Sequence, residues 1–421
     1  MAKGLKKMGI VETAIYNLEQ AAKRLELDSA ILEELCSPKE KIELTINPLS
    51  LHGKIVHMKA FVVRHNDALG PAKGGIRMSG SVTLDDIVGL SMEMTWKTSL
   101  IGVPFGGGKS GICFAPEGLD ANEKEIIIRS FIRGARRHIG PEVYIPAPDM
   151  GTNEADMGHI RDCISYSAGT SITSGCFVTG KPVILGGIVG RREATGKGVV
   201  YTVAAACKKL GIDIKGATVV VQGFGNVGAV AAGAISELGA KVIAISDVTG
   251  GIRNTKGINI AGLNQHFREK GTIKGFGGSK EISNEELLGT KCDILIPAAT
   301  QSQVTGENAG SIDAKIIAEG ANAPTTPQAD EILQKRKIFV IPDILCNAGG
   351  VFVSYLEYTQ ETQREQMTLG QVEKRLSERM NEKFDDVYKY SKEKNYSMRE
   401  AAMDIAVAKV VEAVYARGFL P

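Results

Sequence analysis

One glycine pattern, placed between a strand and a helix, constrains the fold of this chain more than any other feature. Residues Gly223-Phe224-Gly225-Asn226-Val227-Gly228 match GxGxxG, a pattern that is weak by itself in a chain with 49 glycines. Its context strengthens it. The pattern follows the apolar run Ala217–Val221 and opens the helical segment Asn226–Leu238. A second strand, Lys241–Ser246, then leads to Asp247. Strand, glycine turn, helix and strand together predict a dinucleotide-binding βαβ unit.

Each residue of this unit has a separate expected role. Gly223 permits the tight turn, Gly225 lets the backbone approach a pyrophosphate, and Gly228 lets the helix pack on the strand. The helix N-terminus offers N–H groups to the phosphates. Asp247 would accept hydrogen bonds from the adenine ribose, which favours NAD. NADP stays open as an alternative because Arg253 follows closely. The structural alternative is a βα turn that uses glycine only for packing.

The whole chain divides into three regions by pattern. Residues 1–185 are predicted to form an α/β substrate-binding and oligomerisation domain, and 186–358 a Rossmann-like, doubly wound parallel sheet. Residues 359–421 read as helices that return towards the first domain. The predicted helices are Val11–Leu27, Leu84–Leu100, Asn122–His138, Leu369–Glu393 and Arg399–Ala416. Besides those already named, the predicted strands are Lys41–Ile46, Lys54–Arg64, Val143–Asp149, Asp293–Ile296, Lys315–Ala318 and Ile338–Val340.

Composition excludes several function classes. A formal net charge of +2 and an aromatic content of 5% give no reason to expect a nucleic-acid partner. The chain contains no run of about 18 apolar residues, so no membrane span is predicted. The lysine-bearing start lacks the apolar stretch of a signal peptide. The seven cysteines are scattered, which favours a reducing, cytoplasmic location. Neither histidines nor cysteines show metal-ligand spacing, so no metal site is expected.

Three lysines in the first region predict an anion site. Lys73 and Lys109 lie in the glycine-rich stretches GPAKGGIR and PFGGGKSG, which we interpret as loops, and Lys97 lies near the end of the long helix. Ammonium groups facing one cleft would suit a dicarboxylate substrate. Clustered cations also lower one another's pKa, which could make one lysine a base. The alternative is that these lysines are solvated surface charges.

A phosphate-binding loop is a second interpretation of one stretch. Gly108-Lys109-Ser110 resembles the end of GxxxxGK[ST], but Val103 stands where the first glycine belongs. Pro104 stiffens the intervening turn, and no Walker B aspartate follows at convincing spacing. A nucleoside triphosphatase is therefore a minor alternative.

Eight stretches resemble the glutamate dehydrogenase family, within the Glu/Leu/Phe/Val dehydrogenases, in the family's order. They are GPAKGGIRM, MTWKTSL, PFGGGKSG, PAPDMGT, REATGKGV, QGFGNVG, EGANAPTT and CNAGGVFVSYLE. The resemblance implies that Lys73 and Ser354 hold the substrate's side-chain carboxylate and that Lys97 holds its α-carboxylate. It implies catalytic roles for Lys109 and Asp149. The other implied substrate residues are Gly75 and Asn347, and the other cofactor residues are Thr195, Asn226, Val227, Ala299, Thr300 and Asn322.

The implied reaction is the reversible oxidative deamination of L-glutamate to 2-oxoglutarate and ammonia, in a homo-hexamer whose nucleotide domain closes over the substrate domain. Hydride transfer would give an iminium ion, Lys109 would activate water to attack it, and Asp149 would shuttle protons. For Asp149 the alternative is a carboxylate that caps the strand end.

The leucine, valine and phenylalanine dehydrogenases are the rival interpretation. They resemble this chain at the catalytic lysine and the GxGxxG loop, but they carry an apolar residue in place of Lys73. A buried ammonium facing an aliphatic side chain would be left unpaired, so Lys73 with Ser354 favours glutamate. Two departures from the family are Met94, where some members carry a polar residue, and Tyr358-Thr359-Gln360, where a tryptophan is frequent.

Overall fold

The computed structural model describes residues 9–169 and 175–418, which leaves the lysine-bearing start of the chain outside the described residues. Two compact units are present. Unit 1 consists of Met1–Val189, Val353–Leu369 and Met403–Pro421, and unit 2 consists of Gly190–Phe352 and Gly370–Ala402. Both units combine a sheet with helices, so the predicted two-domain α/β fold is confirmed. None of the described helices has the length and apolar character needed to cross a bilayer.

Unit 1 is built on a five-stranded mixed sheet. Its N-terminal part runs α1 (Ile10–Arg24), α2 (Ser29–Cys36), β1 (Glu40–Ile46), β2 (Met58–Asn66), β3 (Ala72–Met78), α3 (Leu84–Ile101), β4 (Gly106–Cys113), α4 (Ala121–Ala135), β5 (Tyr144–Pro148) and α5 (Glu154–Ser167). The strand order is β1-β2-β4-β3-β5, with β3 parallel to both of its neighbours and β2 antiparallel to both of its own. Ile76, Ile112 and Tyr144 join residues of α4 and α5 in the core on one face.

The prediction that Lys73 and Lys109 lie on glycine-rich loops is wrong, because both lie within strands, β3 and β4. Glycine is depleted in strands, so the local pattern indicates a loop. Here the glycines permit close approach instead. A Cβ added at Gly107 would lie 2.0 Å from Thr95 Oγ1, so only glycine lets α3 pack directly on β4.

Unit 2 contains a seven-stranded sheet. The chain runs α6 (Ala194–Leu210), β6 (Thr218–Gln222), α7 (Gly228–Glu237), β7 (Lys241–Asp247), β8 (Gly250–Arg253), α8 (Ile260–Lys270), β9 (Lys280–Ile282), α9 (Asn284–Leu288), β10 (Cys292–Pro297), β11 (Ala314–Ala318), α10 (Pro327–Lys335), β12 (Phe339–Ile341) and α11 (Asp343–Cys346). The order is β12-β11-β10-β6-β7-β8-β9. The first five strands in this order are parallel, and β8 and β9 extend the sheet in antiparallel fashion. A parallel sheet of this kind binds ligands beyond the carboxyl ends of its strands, where the strand order reverses.

Three long helices complete the chain: α12 (Gly349–Gln363), α13 (Leu369–Lys394) and α14 (Met398–Arg417). The prediction that the C-terminal helices return to the first domain is wrong for α13, which belongs to unit 2 from Gly370 onwards. Phe384 and Tyr388 of α13 pack against Phe339 of β12. This aromatic contact joins residues far apart in the chain, and no local pattern reports it. From Met403 onwards α14 belongs to unit 1, where Asp404 pairs with Arg24 at 2.6 Å.

Candidate active site

Strand register brings the predicted catalytic residues of unit 1 to one face of its sheet. Lys73 pairs with Gly107 across the parallel β3–β4 ladder and with Ile145 across the β3–β5 ladder. Side chains alternate between faces, so Lys109, two residues after Gly107, projects on the same face as Lys73. Asp149 continues the alternation of Ile145 on that face. The face opposite the α4 and α5 core therefore carries both lysines and the aspartate.

Helix α3 covers this face and supplies the third lysine. The glycines on either side of Lys109 make room for the helix, since a Cβ at Gly111 would lie 2.9 Å from Ile87 of α3. Lys97 lies in the last turns of α3. The alternative that these lysines are solvated surface charges is wrong, because Lys73, Lys97 and Lys109 are only 2%, 5% and 4% exposed. Ammonium groups this deeply buried require anionic or polar partners.

Lys109 and Asp149 form a direct ion pair. The Lys109 Nζ lies 2.8 Å from Asp149 Oδ2, and the two side chains are 5% and 20% exposed. Arg77 Nε also donates to Asp149 Oδ2, at 3.2 Å. Arg77, within the stretch GPAKGGIRM, is not among the predicted site residues. The spacing of four residues from Lys73 to Arg77 puts both side chains on one face of a strand, so this spacing could have indicated that Arg77 lies near the site.

This arrangement perturbs both pKa values of the pair. Burial would raise the pKa of Asp149, but the charges of Lys109 and Arg77 outweigh it and hold the pKa at about 2. The pKa of Lys109 is lowered, first by burial and then by the charges of Arg77 and Lys97, against the opposing effect of Asp149. The carboxylate therefore stays ionised, while the amine is shifted towards the neutral form that a base requires.

A tight turn after β5 fixes the Asp149 backbone. The Asp149 N–H donates to Thr152 Oγ1 at 3.0 Å, and Thr152 Oγ1 in turn donates to Ile76 O on β3 at 2.8 Å. Gly151 has a φ of +81°, which favours glycine. The carboxylate itself faces Lys109 and Arg77, and the cap of the following helix α5 is Asn153. The carboxylate also accepts a backbone hydrogen bond from Met150, so capping of the strand end accounts for that contact but not for the ion pairs with Lys109 and Arg77.

The Asp149 side chain occupies the space where a side chain at position 75 would lie. A Cβ added at Gly75 would lie 2.6 Å from the Asp149 Cβ, so the absence of a side chain on β3 makes room for the carboxylate. This is a packing reason for glycine at a position that the family resemblance associates with substrate.

Ser354 lies on a firmly anchored turn of α12. Three residues further along, Glu357 is fully buried and pairs with Lys181 at 2.7 Å. Its other oxygen accepts from the Gly180 N–H at 2.8 Å. Phe105, which directly precedes β4, packs edge-on against Tyr358 with ring centroids 5.2 Å apart. Buried Ser354, 1% exposed, thus belongs to the same unit as the three lysines.

The triphosphatase alternative is wrong for this chain. A phosphate-binding loop connects a strand to a helix, so that backbone N–H groups surround the phosphates. Here Gly108, Lys109 and Ser110 lie within β4, where all three pair with β2 and Ser110 also pairs with β3. Their backbone groups are committed to the sheet.

The predicted dinucleotide residues of unit 2 converge at the carboxyl ends of its parallel strands. Gly223 has a φ of +98°, and a Cβ there would lie 3.0 Å from Ala299 Cα, which places the loops after β6 and β10 in contact. Thr300 follows in the second loop. A Cβ at Gly228 would lie 1.9 Å from Gly223 O, whereas one at Gly225 would meet nothing within 4 Å. At Gly228 the turn therefore has no room for a side chain, because helix and strand pack there. At Gly225, beside Asn226, the space next to the backbone is empty, which fits a pyrophosphate.

Asn322 and Asn347 lie together beside this turn. The Asn347 side-chain amide donates to Ala321 O at 3.0 Å and to Asn322 Oδ1 at 3.2 Å. Its own Oδ1 is buried and has no hydrogen-bond partner among the described residues. Val227 packs close to the same loop, since a Cβ at Gly320 would lie 3.3 Å from Val227 Cγ1. An unpartnered buried acceptor fits a ligand that brings a donor, such as the carboxamide of a nicotinamide.

Thr195 lies in the first turn of α6. A Cβ added at Gly350 would lie 2.4 Å from Thr195 Oγ1, so the start of α12 passes directly beside it. Gly196 has a similar role towards α7, because a Cβ there would lie 2.8 Å from Val227 O. The residues of unit 2 named so far therefore fit a bound dinucleotide. Among the described residues, no group of three His, Cys, Asp or Glu side chains could hold a metal ion.

Both carboxylate oxygens of Asp247 accept hydrogen bonds from the protein, which the sequence did not predict. One carboxylate oxygen accepts from the Thr249 N–H at 2.7 Å and the Thr249 hydroxyl at 2.6 Å. The other accepts from the Ile273 N–H at 2.8 Å and the Thr272 hydroxyl at 3.2 Å. The pKa of Asp247 is lowered because these hydrogen bonds outweigh partial burial, which alone would raise it. Asp247 thus holds two loops together and presents a stable negative charge at the end of β7.

Comparisons with known proteins agree over the full length of the chain. The family described as "Glutamate/Leucine/Phenylalanine/Valine dehydrogenase" matches residues 186–418. The "Glu/Leu/Phe/Val dehydrogenase, dimerisation domain" matches residues 38–166. A glutamate dehydrogenase of Thermotoga maritima is 45% identical over 413 residues, which are 98% of this chain and 99% of the relative.

Solved structures give the same result. The hetero-hexameric glutamate dehydrogenase of Thermus thermophilus, in a leucine-bound form, superimposes with a TM-score of 0.94 at 32% identity, covering 99% of each chain. The glutamate dehydrogenase of Peptoniphilus asaccharolyticus gives a TM-score of 0.85 at 34% identity, covering 98% of this chain and 100% of the other. These likenesses extend through both the lysine face and the dinucleotide turn.

Proposed function

Because this chain belongs to the Glu/Leu/Phe/Val dehydrogenase family and is a glutamate dehydrogenase within it, we propose that Lys109 and Asp149 carry out its chemistry on L-glutamate. The reaction of such an enzyme is the reversible oxidative deamination of glutamate with a nicotinamide cofactor. The observation that carries the proposal is the buried Lys109–Asp149 pair, on a face that also holds two further buried lysines. An ionised carboxylate beside an amine of lowered pKa suits repeated proton transfer.

Glutamate binding is assigned to the other two lysines. Lys73 and Ser354 hold the side-chain carboxylate, and Lys97 holds the α-carboxylate. The burial of both ammonium groups supports this assignment, because a dicarboxylate neutralises charges that water does not reach. An aliphatic or aromatic side chain offers the Lys73 ammonium no carboxylate, which disfavours leucine, valine and phenylalanine.

Lys109 acts as the base once glutamate has been oxidised at Cα to the iminium ion. The bound nicotinamide supplies the hydride acceptor for that oxidation. Neutral Lys109 takes a proton from water as the water oxygen bonds to the iminium carbon. Asp149 relays this proton to the nitrogen, the carbon–nitrogen bond breaks, and the hydroxyl proton leaves with ammonia as ammonium. Burial and the nearby charge of Lys97 lower the pKa of Lys109 and so favour its neutral form at the start of this step.

Unit 2 binds the cofactor through the glycine turn. Gly223, Gly225 and Gly228 admit the pyrophosphate, with Asn226, Val227, Ala299 and Thr300 around it. Thr195, Asn322 and Asn347 serve the nicotinamide end, and the unpartnered Asn347 Oδ1 supports this role. NAD is the preferred cofactor, since the charge of Asp247 opposes a 2′-phosphate. Arg253, an exposed cation on β8, can attract a 2′-phosphate, so the proposal includes a weaker activity with NADP. The protein assembles as a homo-hexamer.

The test is a substrate panel. Purified protein receives L-glutamate, L-leucine, L-valine or L-phenylalanine, each with NAD and with NADP, and reduced nicotinamide is followed by its absorbance. We expect rapid reduction with glutamate and NAD and slow reduction with the other amino acids. Preference for an aliphatic or aromatic amino acid would overturn the Lys73 assignment, and equal rates with both cofactors would overturn the role of Asp247.

A further inference from the structure

Arg77 is placed by the backbone so that its guanidinium meets Asp149. Two hydrogen bonds tie the turn that follows β5 to β3. Thr152 Oγ1 donates to Ile76 O at 2.8 Å, and the Met78 N–H donates to Met150 O at 2.8 Å. These contacts are made by the residues immediately before and after Arg77. The relative position of Arg77 and Asp149 is therefore fixed by the fold and does not depend on flexible side chains alone.

Arg77 and Lys109 share one acceptor. Both donate to Asp149 Oδ2, at 3.2 Å and 2.8 Å, and the Arg77 side chain is 18% exposed. Arg77 pairs with Gly111 across the β3–β4 ladder, two residues beyond Lys109 on the same face. Gly111 itself is covered by Ile87 of α3, since a Cβ there would lie 2.9 Å from that side chain. Arg77 is a permanent cation at this carboxylate beside the titratable Lys109, and the roles assigned above to Lys73 and Lys97 do not involve it.

The remaining neighbours of Lys109 do not place a second guanidinium at Asp149. Lys97 approaches from α3 and also affects the pKa of Lys109. On β2, the partner of Lys109 is the apolar Val63. His65 lies two residues further along β2, with its ring nitrogens bonded to Thr95 Oγ1 and Leu35 O. Burial lowers the pKa of His65 to about 4, despite the opposing bond to Leu35, so this ring stays neutral at working pH.

We propose that Arg77 is a positioning residue of the reaction, which holds the Asp149 carboxylate against Lys109 and keeps a fixed positive charge beside the Lys109 amine. The proposal rests on the roles given to Lys109 and Asp149 above. A guanidinium suits this task, because it keeps its own charge at every working pH while Lys109 gains and loses a proton. Because Arg77 shares the Asp149 carboxylate, Asp149 stabilises protonated Lys109 less than it would in an isolated ion pair.

The sign of the effect follows from charge. Arg77 lowers the pKa of Lys109, so replacing Arg77 by a neutral residue raises that pKa and reduces the neutral fraction at any given pH. Oxidative deamination needs neutral Lys109. The acidic limb of its kcat/KM profile, along which activity rises with pH, therefore moves to higher pH.

The experiment compares Arg77→Gln, Arg77→Lys and the control Arg129→Gln in the full-length enzyme. Arg129 also pairs with two carboxylates, Glu125 and Asp162, but it lies on α4 away from the reacting groups. The pH dependence of kcat/KM with glutamate is measured for each variant. In parallel, trace labelling of lysine amines with acetic anhydride across pH reports the titration of Lys109 in the folded protein, with exposed Lys41 on β1 as internal reference.

For Arg77→Gln, the midpoints of the acidic limb and of Lys109 labelling should both rise by roughly one pH unit. Arg77→Lys should keep most of the original midpoint because it keeps the charge, and Arg129→Gln should match the parent enzyme. An unchanged midpoint in Arg77→Gln, or a loss of activity that is uniform across pH, overturns the proposal. Equal shifts in Arg77→Gln and Arg77→Lys overturn it as well. Failure of the underlying mechanism is distinguishable, since Lys109→Ala would then retain turnover.

Discussion

The Nζ of Lys109 lies 2.8 Å from Oδ2 of Asp149, across two strands that are not adjacent in the sheet. Between them runs β3, which carries Gly75 and Arg77 on the same face. Gly75 allows the two side chains to meet over β3, and Arg77 adds a second cation to the same oxygen. The pair is thus a product of the order β4-β3-β5, and its chemistry depends on all three strands.

Lys109→Ala should abolish the base while leaving the dinucleotide turn of unit 2 intact. We expect kcat to fall by about a hundredfold to ten-thousandfold, the usual contribution of a general base. Binding of NADH, followed by its fluorescence, should be unchanged. The matched control is Lys59→Ala, since Lys59 is 62% exposed and pairs with Glu43. Near-normal turnover in Lys109→Ala would contradict the mechanism.

Lys73→Leu should change the choice of amino acid. Removing the buried ammonium costs glutamate its side-chain partner, whereas an aliphatic substrate gains an apolar contact. The ratio of kcat/KM for leucine to that for glutamate should rise at least about a hundredfold, as steady-state rates with both substrates would show. Lys41→Leu, at an exposed position of β1, is the control. The assignment of Lys73 fails if this ratio does not change.

Gly75→Ala should displace Asp149. Its new Cβ would lie 2.6 Å from the Asp149 Cβ, too close for any packing without movement. A shift of the carboxylate should lower kcat by roughly tenfold or more, because small displacements of catalytic groups are costly. Gly80→Ala serves as control, since its Cβ would meet Ala115 at an ordinary 3.4 Å. Equal kcat values for the two variants would show that the spacing at Gly75 is irrelevant to catalysis.

Asp247→Ser should shift cofactor preference towards NADP. Loss of the negative charge removes repulsion of the 2′-phosphate, so the NADP-to-NAD ratio of kcat/KM should rise by about tenfold. The serine also releases the bonds to Thr272 and Ile273, and some loss of thermal stability should accompany the change. Asp213→Ser, an exposed loop carboxylate, controls for charge alone. Lower stability without a change of ratio would restrict Asp247 to holding its loops.

Asp149 should stabilise the folded protein in a pH-dependent manner. Its pKa is lowered to about 2, so its contribution is fully present above about 4, where a free aspartate titrates. That contribution is lost as pH falls from about 4 to about 2, and it amounts to about 2 kcal/mol. The melting temperatures of the parent and Asp149→Asn should therefore differ most above pH 4 and converge in acid. A constant difference across this range would contradict the shifted pKa.

Much of the fold was predictable because its signals are local. The strands and helix around GxGxxG, the helix of Lys97 and the parallel strands of unit 2 all follow from patterns within a few residues of each other. The strands of Lys73 and Lys109 were not recognised, since their glycines indicate loops to any local rule. The reason for those glycines is α3 packing on β4 and Asp149 passing over Gly75, which are contacts between distant segments.

The sequence by itself determined the two-domain α/β plan, the dinucleotide turn and the family, since eight motifs in a fixed order are independent of any geometry. Tertiary structure alone decided which side chains meet. It gave Arg77 a place at Asp149, committed the oxygens of Asp247 to its own loops and assigned α13 to unit 2. The physical reason is that strand order and register set the distances between side chains remote in the chain, and a charge acts on another only across such distances.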